Sequence, residues 1–427
     1  MALKRTPALT KTLIFFITIL FAVSLTSGFH ITLGGYDRSI TSLIGVGIFL
    51  IFCVSLTRKL QLLPLSIAVV FFIPTSIDIF VNQEFGTATF VFIFNLLTFY
   101  FLAVLVSNLS NDQVSFIMAS FAASFLAFAV WHYTTNDFSH SRFFYNIFNP
   151  NEVAIIGLSS LAFIYFLSDS YTDKFFSAAL GTALKVILLL SVMTIIFFIA
   201  ATGTRFAVIG SVILSLSLII KSIILAKTSY NSKYKTTLYA TGLIFSVVAM
   251  TGFGGLKNAY DVTSLHFDGN TFNRMIWSSG NENIYYTVGR LSKPLVYDLG
   301  KVDGSISSLG GRLPSWRLAY YMSLHHPLSG IGSGFFNAER ERLKIPSAHN
   351  VLVESYIVGG VFGGAVIAGL LILSLIFGMS QYLLNNTAHY LILVSLLIIS
   401  MMMNLWYLKV FWFLLSILVG HLMRKKA

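Results

Sequence analysis

The sequence predicts an all-α polytopic membrane protein, and three observations carry that prediction. Hydrophobic residues make up 56% of the 427 positions and charged residues 10%, where a soluble domain averages about 25% charged. Apolar runs of about 18 residues or more recur from one end of the chain to the other, the length a helix needs to cross the hydrocarbon core of a bilayer. Lys and Arg gather on alternate connecting segments, as the positive-inside rule demands of a multi-pass chain.

In order, the apolar runs give about twelve spans. They are centred in 12–28, 40–57, 61–80, 86–107, 113–132, 152–168, 180–201, 205–225, 237–254, 348–378, 388–403 and 405–422. With the N-terminus in the cytoplasm, the inward segments hold Lys4, Arg5 and Lys11, then Arg58 and Lys59, then Lys174 and Lys185. The next inward group is Lys221, Lys227, Lys233 and Lys235, and the last is Arg424, Lys425 and Lys426. The short outward loops hold only Arg38, Arg142 and Arg205. An even number of spans returns both termini to the cytoplasm. The opening "MALKRTPALTKTLIFF" is basic and then apolar, with no small-residue cleavage site, which predicts a retained first helix. The expected organisation is 1–254 for the first nine spans, 255–347 for one large outward loop, and 348–427 for the last three. The run at 348–378 is long enough to tilt or to begin above the membrane. No internal repeat and no low-complexity linker interrupts this plan.

The large loop starts polar and aromatic, with mixed turn signals. Further on, "LPSWRLAYYMSLHH" sets Leu313, Trp316, Leu318, Tyr320 and Tyr321 on a near-helical period, which predicts an amphipathic helix. "HPLSGIGSGFFN" ends it, because Pro327 and the alternating glycines oppose its continuation. The 40 Phe and 19 Tyr fit a lipid-facing and interfacial surface. The formal charge of +12 fits positive-inside topology with an anion-binding role, rather than nucleic acid as a partner. One cysteine, Cys53 in an apolar run, gives no disulfide framework and no Cys/His metal cluster.

Candidate chemistry sits on the outward side. His349 stands in "PSAHNVLVES", where the loop re-enters the membrane; it reads as an acid–base group, or alternatively as a helix cap or headgroup contact. Asn350 is placed to orient a sugar hydroxyl, and Glu354 shares its helical face. Glu354 lies about 140° from His349 around an ideal helix, so a direct pair between them is disfavoured. Arg205 in "ATGTRFAV" begins a span, and Arg312 opens the amphipathic segment. Arginine grips phosphate oxygens through a planar fork and keeps its charge, and at a membrane interface it marks function by default. Arg317 and Arg340 read as snorkelling anchors. The outward segment "HYTTNDFSHSRFFYNIFNPNEVA" adds His132, His140, Arg142, Asn149, Asn151 and Glu152. Within it "NPNE" reads as a turn into a helix with Glu152 in the first turn; capping explains Asn149 and Pro150 but not Arg142. "GIGSGFF" lacks the spacing and flanking strand of a nucleotide-binding loop. "IVGGVFGGAVIAG" reads as a small-residue face for close helix packing. Asp78 and Glu84 read as interfacial residues flanking an outward loop.

Several of these stretches together resemble a known family. Arg312 and Trp316 in "GGRLPSWRLA", then "HPLSGIGSGFFN", then "AHNVLVESYIVGGVFGG" resemble the signature of the O-antigen ligase and polymerase superfamily. "GTRFA" resembles its upstream arginine motif, and "FNPNEVA" its Asn-Pro-Asn element. The likeness covers roughly residues 145 to 365; the first 130 residues match only as generic spans. It implies a glycosyltransferase of the GT-C type in the bacterial inner membrane, with a large periplasmic loop. The implied donor is a glycan on undecaprenyl pyrophosphate. An O-antigen ligase moves that glycan en bloc to a lipid A-core sugar, using neither metal nor cofactor, and direct displacement inverts the anomeric carbon. A polymerase extends lipid-linked repeats instead. The resemblance assigns His349 as general base and Arg205 and Arg312 as pyrophosphate-binding residues. Arg142 joins them on the reading of its loop alone, with Asn350 and Glu354 as groups orienting the acceptor. Implied partners are the lipid-linked glycan, lipid A-core and membrane lipids. The ligase reading comes first and a surface-polysaccharide polymerase second. A lipid-linked glycan transporter is disfavoured, because the polar residues sit at one face and no halves repeat; a non-catalytic assembly protein is disfavoured further.

Overall fold

The structure is a computed structural model. It describes residues 8–27, 30–33, 36–39, 41, 44–45, 47–48, 61–81, 87–135, 150–175, 179–202, 204–224, 230–249, 283–287, 296–301, 313–323, 326–342, 350–383, 387–402 and 409–425. Helices dominate, and we number them in chain order: α1 Ala8–Ser27, α2 Leu62–Phe80, α3 Thr87–Ser107, α4 Asn111–Thr135, α5 Pro150–Phe175, α6 Ala179–Ala201, α7 Arg205–Ile224 and α8 Tyr230–Val248. After these come α9 Leu313–Ser323, α10 Ser333–Arg342, α11 Val351–Leu383, α12 Thr387–Met402 and α13 Lys409–Lys425. Among the described residues seven helices, α2 to α7 and α11, are long and apolar enough to cross a membrane, and the apolar stretches Thr12–Thr26 and His389–Met401 are shorter. The chain is a multi-pass membrane protein.

Two antiparallel strand pairs modify the all-α expectation. Strand β1 (His30–Leu33) pairs with β2 (Tyr36–Ser39), and β3 (Asn283–Thr287) with β4 (Val296–Lys301). The second pair is built from "NIYYT" and "VYDLGK", where aromatic and β-branched residues favour a pleated surface. It falls within the large loop, for which only amphipathic helices were expected.

The core gathers around α13. Trp412 lies edge-on to Phe71 of α2 at 5.2 Å and to Phe92 of α3 at 5.8 Å. Phe413 stacks on Phe121 of α4 at 5.5 Å, and Phe121 meets Phe163 of α5 at 5.4 Å. Phe92, Phe99, Phe121, Phe125, Phe163 and Phe413 are all fully buried. Much of the phenylalanine that composition assigned to the lipid surface therefore fills helix–helix contacts, where aromatic pairs add to packing. Others, such as Phe16, Phe90 and Phe116, do face outward.

Buried hydroxyls are satisfied locally or across helices, as an apolar surround requires. Ser159, Ser160 and Ser416 bond carbonyls four residues back. Tyr165 of α5 meets Ser215 of α7 at 2.7 Å, and Ser211 of α7 meets Ser246 of α8 at 2.7 Å. Such bonds hold membrane helices in register. At the start of α4, Ser110 and Gln113 cap each other reciprocally, N–H to side chain, at 2.8 and 3.2 Å, which satisfies first-turn donors.

Candidate functional site

The glycines of "HPLSGIGSG" are structural. Helix α11 is broken at Gly360, which takes φ +59°, and Gly330 and Gly332 take φ +75° and +87°. These left-handed values are open to glycine and costly for other residues. The two places dock on each other through the backbone. Ile331 N–H donates to Ile357 O at 2.9 Å, and Val361 N–H to Pro327 O at 2.8 Å. The break frees the carbonyl and amide that make these bonds. A Cβ on Gly330 would strike Ile357 O, and one on Gly360 would strike the Leu328 carbonyl. On the far side of α11, Gly359 and Gly363 lie against Pro74 of α2, the close packing expected of that small-residue face.

This junction joins two of the sequence motifs. Upstream of it runs α9, which directly follows Arg312. Downstream, α11 begins at Val351, two residues after His349. The buried face of α9 is Ser315, Leu318, Ala319 and Met322, spaced i, i+3, i+4, i+7 as an amphipathic helix should be. Trp316 is half-buried, Tyr320 is 56% exposed, and Arg317 is exposed. The helix was predicted; its inward face is one of small and aliphatic residues, not the aromatic one.

A chain of contacts connects the start of α11 with the starts of α5 and α7. Asn350 caps α11: its Oδ1 accepts from Leu352 N–H at 2.9 Å and Val353 N–H at 3.3 Å. Its amide nitrogen contacts Met401 Sδ of α12 at 3.7 Å. Three residues earlier in α12, Ile398 packs on Gly210 of α7, which also faces Leu158 of α5. At the tops of those helices, Thr204 Oγ1 donates to Asn151 Oδ1 at 3.1 Å. The Asn-Pro-Asn element and the Gly-Thr-Arg element thus touch, directly beside Arg205. Helices α5, α7 and α11 all begin at this end, so three helix N-termini, each favourable to negative charge, open toward the same region.

The predicted site residues fall out as follows. His349, Arg312 and Arg142 lie outside the described residues, as do His140 and Asn149. Arg205 is the first residue of α7, with its side chain outside the description. The Asn350 carboxamide oxygen is engaged as a helix cap, accepting from the Leu352 and Val353 N–H groups. Glu354, in the first turn of α11, is 7% exposed, and its N–H donates to Asn350 O at 3.0 Å. Glu152 stands in the first turn of α5 as predicted. His132 is buried and stacked on Phe128 at 6.0 Å, a packing role.

One residue was missed and one was placed differently. Lys409, half-buried at the start of α13, interacts electrostatically with Glu152. Its signal was a lysine interrupting the apolar run "NLWYLKVFWFLL". The cavity beneath it, lined by Asn95, Thr98, Trp412 and Ser416 among others, measures ≈ 10 Å³, room for about one water and not for a sugar. Asp78, read as interfacial, is instead buried at 2% exposure against Ser333 of α10.

Residues 186–368 match the family described as O-Antigen ligase. The matched segment runs from α6 through the arginine motif at the top of α7, α9 and the glycine junction, and into α11 past the Gly360 break. No curated protein matches the chain. The family match, over less than half of the chain and among its membrane-spanning helices, makes residues 186–368 similar to the O-antigen ligase family.

Proposed function

We propose that the protein is an O-antigen ligase. It transfers a glycan en bloc from undecaprenyl pyrophosphate to a sugar of lipid A-core at the periplasmic face of the bacterial inner membrane. In this reading about twelve helices cross the membrane and both termini are cytoplasmic. Residues 1–254 and 348–427 form the membrane body, and 255–347 form a periplasmic loop over the site. The observation that supports it best is the convergence of the family's motifs: the glycine junction joins the segment after Arg312 to the helix after His349, and the Asn151–Thr204 bond joins the remaining two.

The chemistry follows from the residue types. His349, neutral, accepts the proton of the acceptor hydroxyl as its oxygen attacks the anomeric carbon. The bond from that carbon to the pyrophosphate oxygen breaks, and attack from the opposite face inverts the configuration. Negative charge gathers on the departing pyrophosphate. Arg205 and Arg312, fixed cations near the helix N-termini, stabilise that charge as it develops, and Arg142 serves the same anion from the α4–α5 loop. Glu354, buried one turn into α11, acts on the orientation of the acceptor side. No metal or cofactor enters this scheme.

The test is reconstitution of purified protein in detergent with an undecaprenyl-pyrophosphate-linked glycan, with lipid A-core or without it. Transfer to lipid A-core, lost in Arg312→Ala, is the expected result. Lengthening of the lipid-linked glycan without lipid A-core would make the protein a polymerase, and the ligase reading would be wrong.

A further inference from the structure

Asp78 is a buried carboxylate that the scheme above does not use. It sits in the last turn of α2, 2% exposed. Both of its oxygens face one residue of the loop. Oδ2 accepts from the Ser333 hydroxyl at 2.7 Å, and Oδ1 accepts from the Ser333 N–H at 3.2 Å. Ser333 begins α10, so the carboxylate lies where first-turn amides point and where the helix dipole favours negative charge. An acidic residue inside a membrane protein is costly and is retained where it has a task.

The task is indicated by what lies beside Ser333. One residue upstream, Gly332 N–H reaches Ile357 O at 3.3 Å, next to the Ile331 bond to the same carbonyl. One turn before Asp78, Pro74 packs against Gly359 and Gly363. Helix α2 therefore holds the junction at two places, Pro74 on the broken helix α11 and Asp78 on the loop docked into the break. The Asp78 contact is the polar, directional one of the two.

We propose that Asp78 is a positioning residue. By holding Ser333, it fixes the glycine junction against α2 and so sets the placement of the Arg312 segment relative to the His349 segment. This rests on the transferase reading, in which those segments supply a cation and the base. A residue acting this way affects the transition state more than donor binding, because a misplacement of about 1 Å costs about 100-fold in rate.

The experiment compares full-length wild type, Asp78→Ala, Ser333→Ala and Ser333→Thr by hydrogen exchange across residues 326–342 and by glycan-transfer kinetics. The expected result for Asp78→Ala is faster exchange at 330–336, with kcat lowered about 10- to 100-fold and KM for the lipid-linked donor changed less than about twofold. Ser333→Ala shows the same pattern more weakly, and Ser333→Thr, which keeps the hydroxyl, restores both readouts. The proposal is overturned if Asp78→Ala keeps kcat within about twofold of wild type, or loses kcat with exchange at 330–336 unchanged. Should Asp78→Ala not fold, the Ser333 pair decides in the same way: equal kcat in the alanine and threonine variants overturns it. If the wild type transfers no glycan, the transferase reading fails and the positioning role fails with it. The exchange data then report separately whether Asp78 holds the junction.

Discussion

The two ends of the helix bundle arrange their polar groups differently. At the end away from the candidate site, His389 of α12 is fully buried and both ring nitrogens are engaged: Nδ1 with Gln381 Oε1 at 3.0 Å and Nε2 with His421 Nδ1 at 2.8 Å. Around it Lys221 meets Thr387, Arg424 reaches the Leu109 carbonyl, and the Tyr382 hydroxyl donates to Ser217 O at 3.0 Å. These groups find partners across four helices and the turn before α4, which is how polar side chains persist in an apolar surround. At the other end the described hydrogen bonds cap helices and dock a glycine loop, and the proposed base His349 and the proposed arginines stand next to those anchor points in the sequence. Both nitrogens of His389 are held by buried side chains of neighbouring helices, an arrangement that ties α12 to α11 and α13. His389 therefore contributes stability, and His349 is the residue proposed for the chemistry.

The sharpest way to break that contrast is His349→Ala. Removing a general base is expected to lower transfer about 100- to 10,000-fold, with the thermal midpoint unchanged. Next in size are Arg312→Ala and Arg205→Ala, each expected to cost about 100- to 1,000-fold in kcat. Lysine at either position should recover only part of that, because it lacks the planar fork; full recovery would mean that charge alone suffices.

Gly360→Ala has a smaller and different effect. The backbone there is left-handed and a Cβ would meet Leu328 O, so we expect about 1–3 kcal/mol of destabilisation. Faster hydrogen exchange at 326–332 should accompany it. The mildest prediction concerns the opposite end. His389→Leu leaves His421 and Gln381 each short of a partner and should cost about 1–3 kcal/mol in stability. Transfer per folded molecule should stay at the wild-type rate. The double variant His389→Leu/His421→Leu should lose less than the single variant adjusted for the second site, because two missing partners are cheaper than one stranded group.

The helical plan was legible from apolar run length, because a bilayer imposes length and polarity on each crossing more strictly than a soluble core does. The helix ranges α2 to α7 and α11 follow the hydropathy windows closely. The amphipathic helix α9 was legible from its period, but its buried face was not: the period admits aromatic and small-residue faces alike, and the fold buries Leu318, Ala319 and Met322. The glycines of the "GIGSG" stretch were visible in the sequence, yet their purpose was not. A glycine signals that something approaches closely, and what approaches here is another stretch of backbone nearly thirty residues downstream. Asp78 was hidden for the same reason. A carboxylate at the end of an apolar run looks like an interfacial flank, and only the fold brings Ser333 onto it. Lys409 had a readable signal, a cation inside an apolar run, and its partner Glu152 lies far away in the chain.

The most direct test of the central claim measures glycan transfer and thermal unfolding on the same preparations of wild type, His349→Ala and His389→Leu. The account predicts that His349→Ala abolishes transfer with an unchanged midpoint, and that His389→Leu lowers the midpoint while each folded molecule transfers normally. Transfer that survives in His349→Ala, or is lost in fully folded His389→Leu, would contradict it and move the chemistry away from the end of the bundle where α5, α7 and α11 begin.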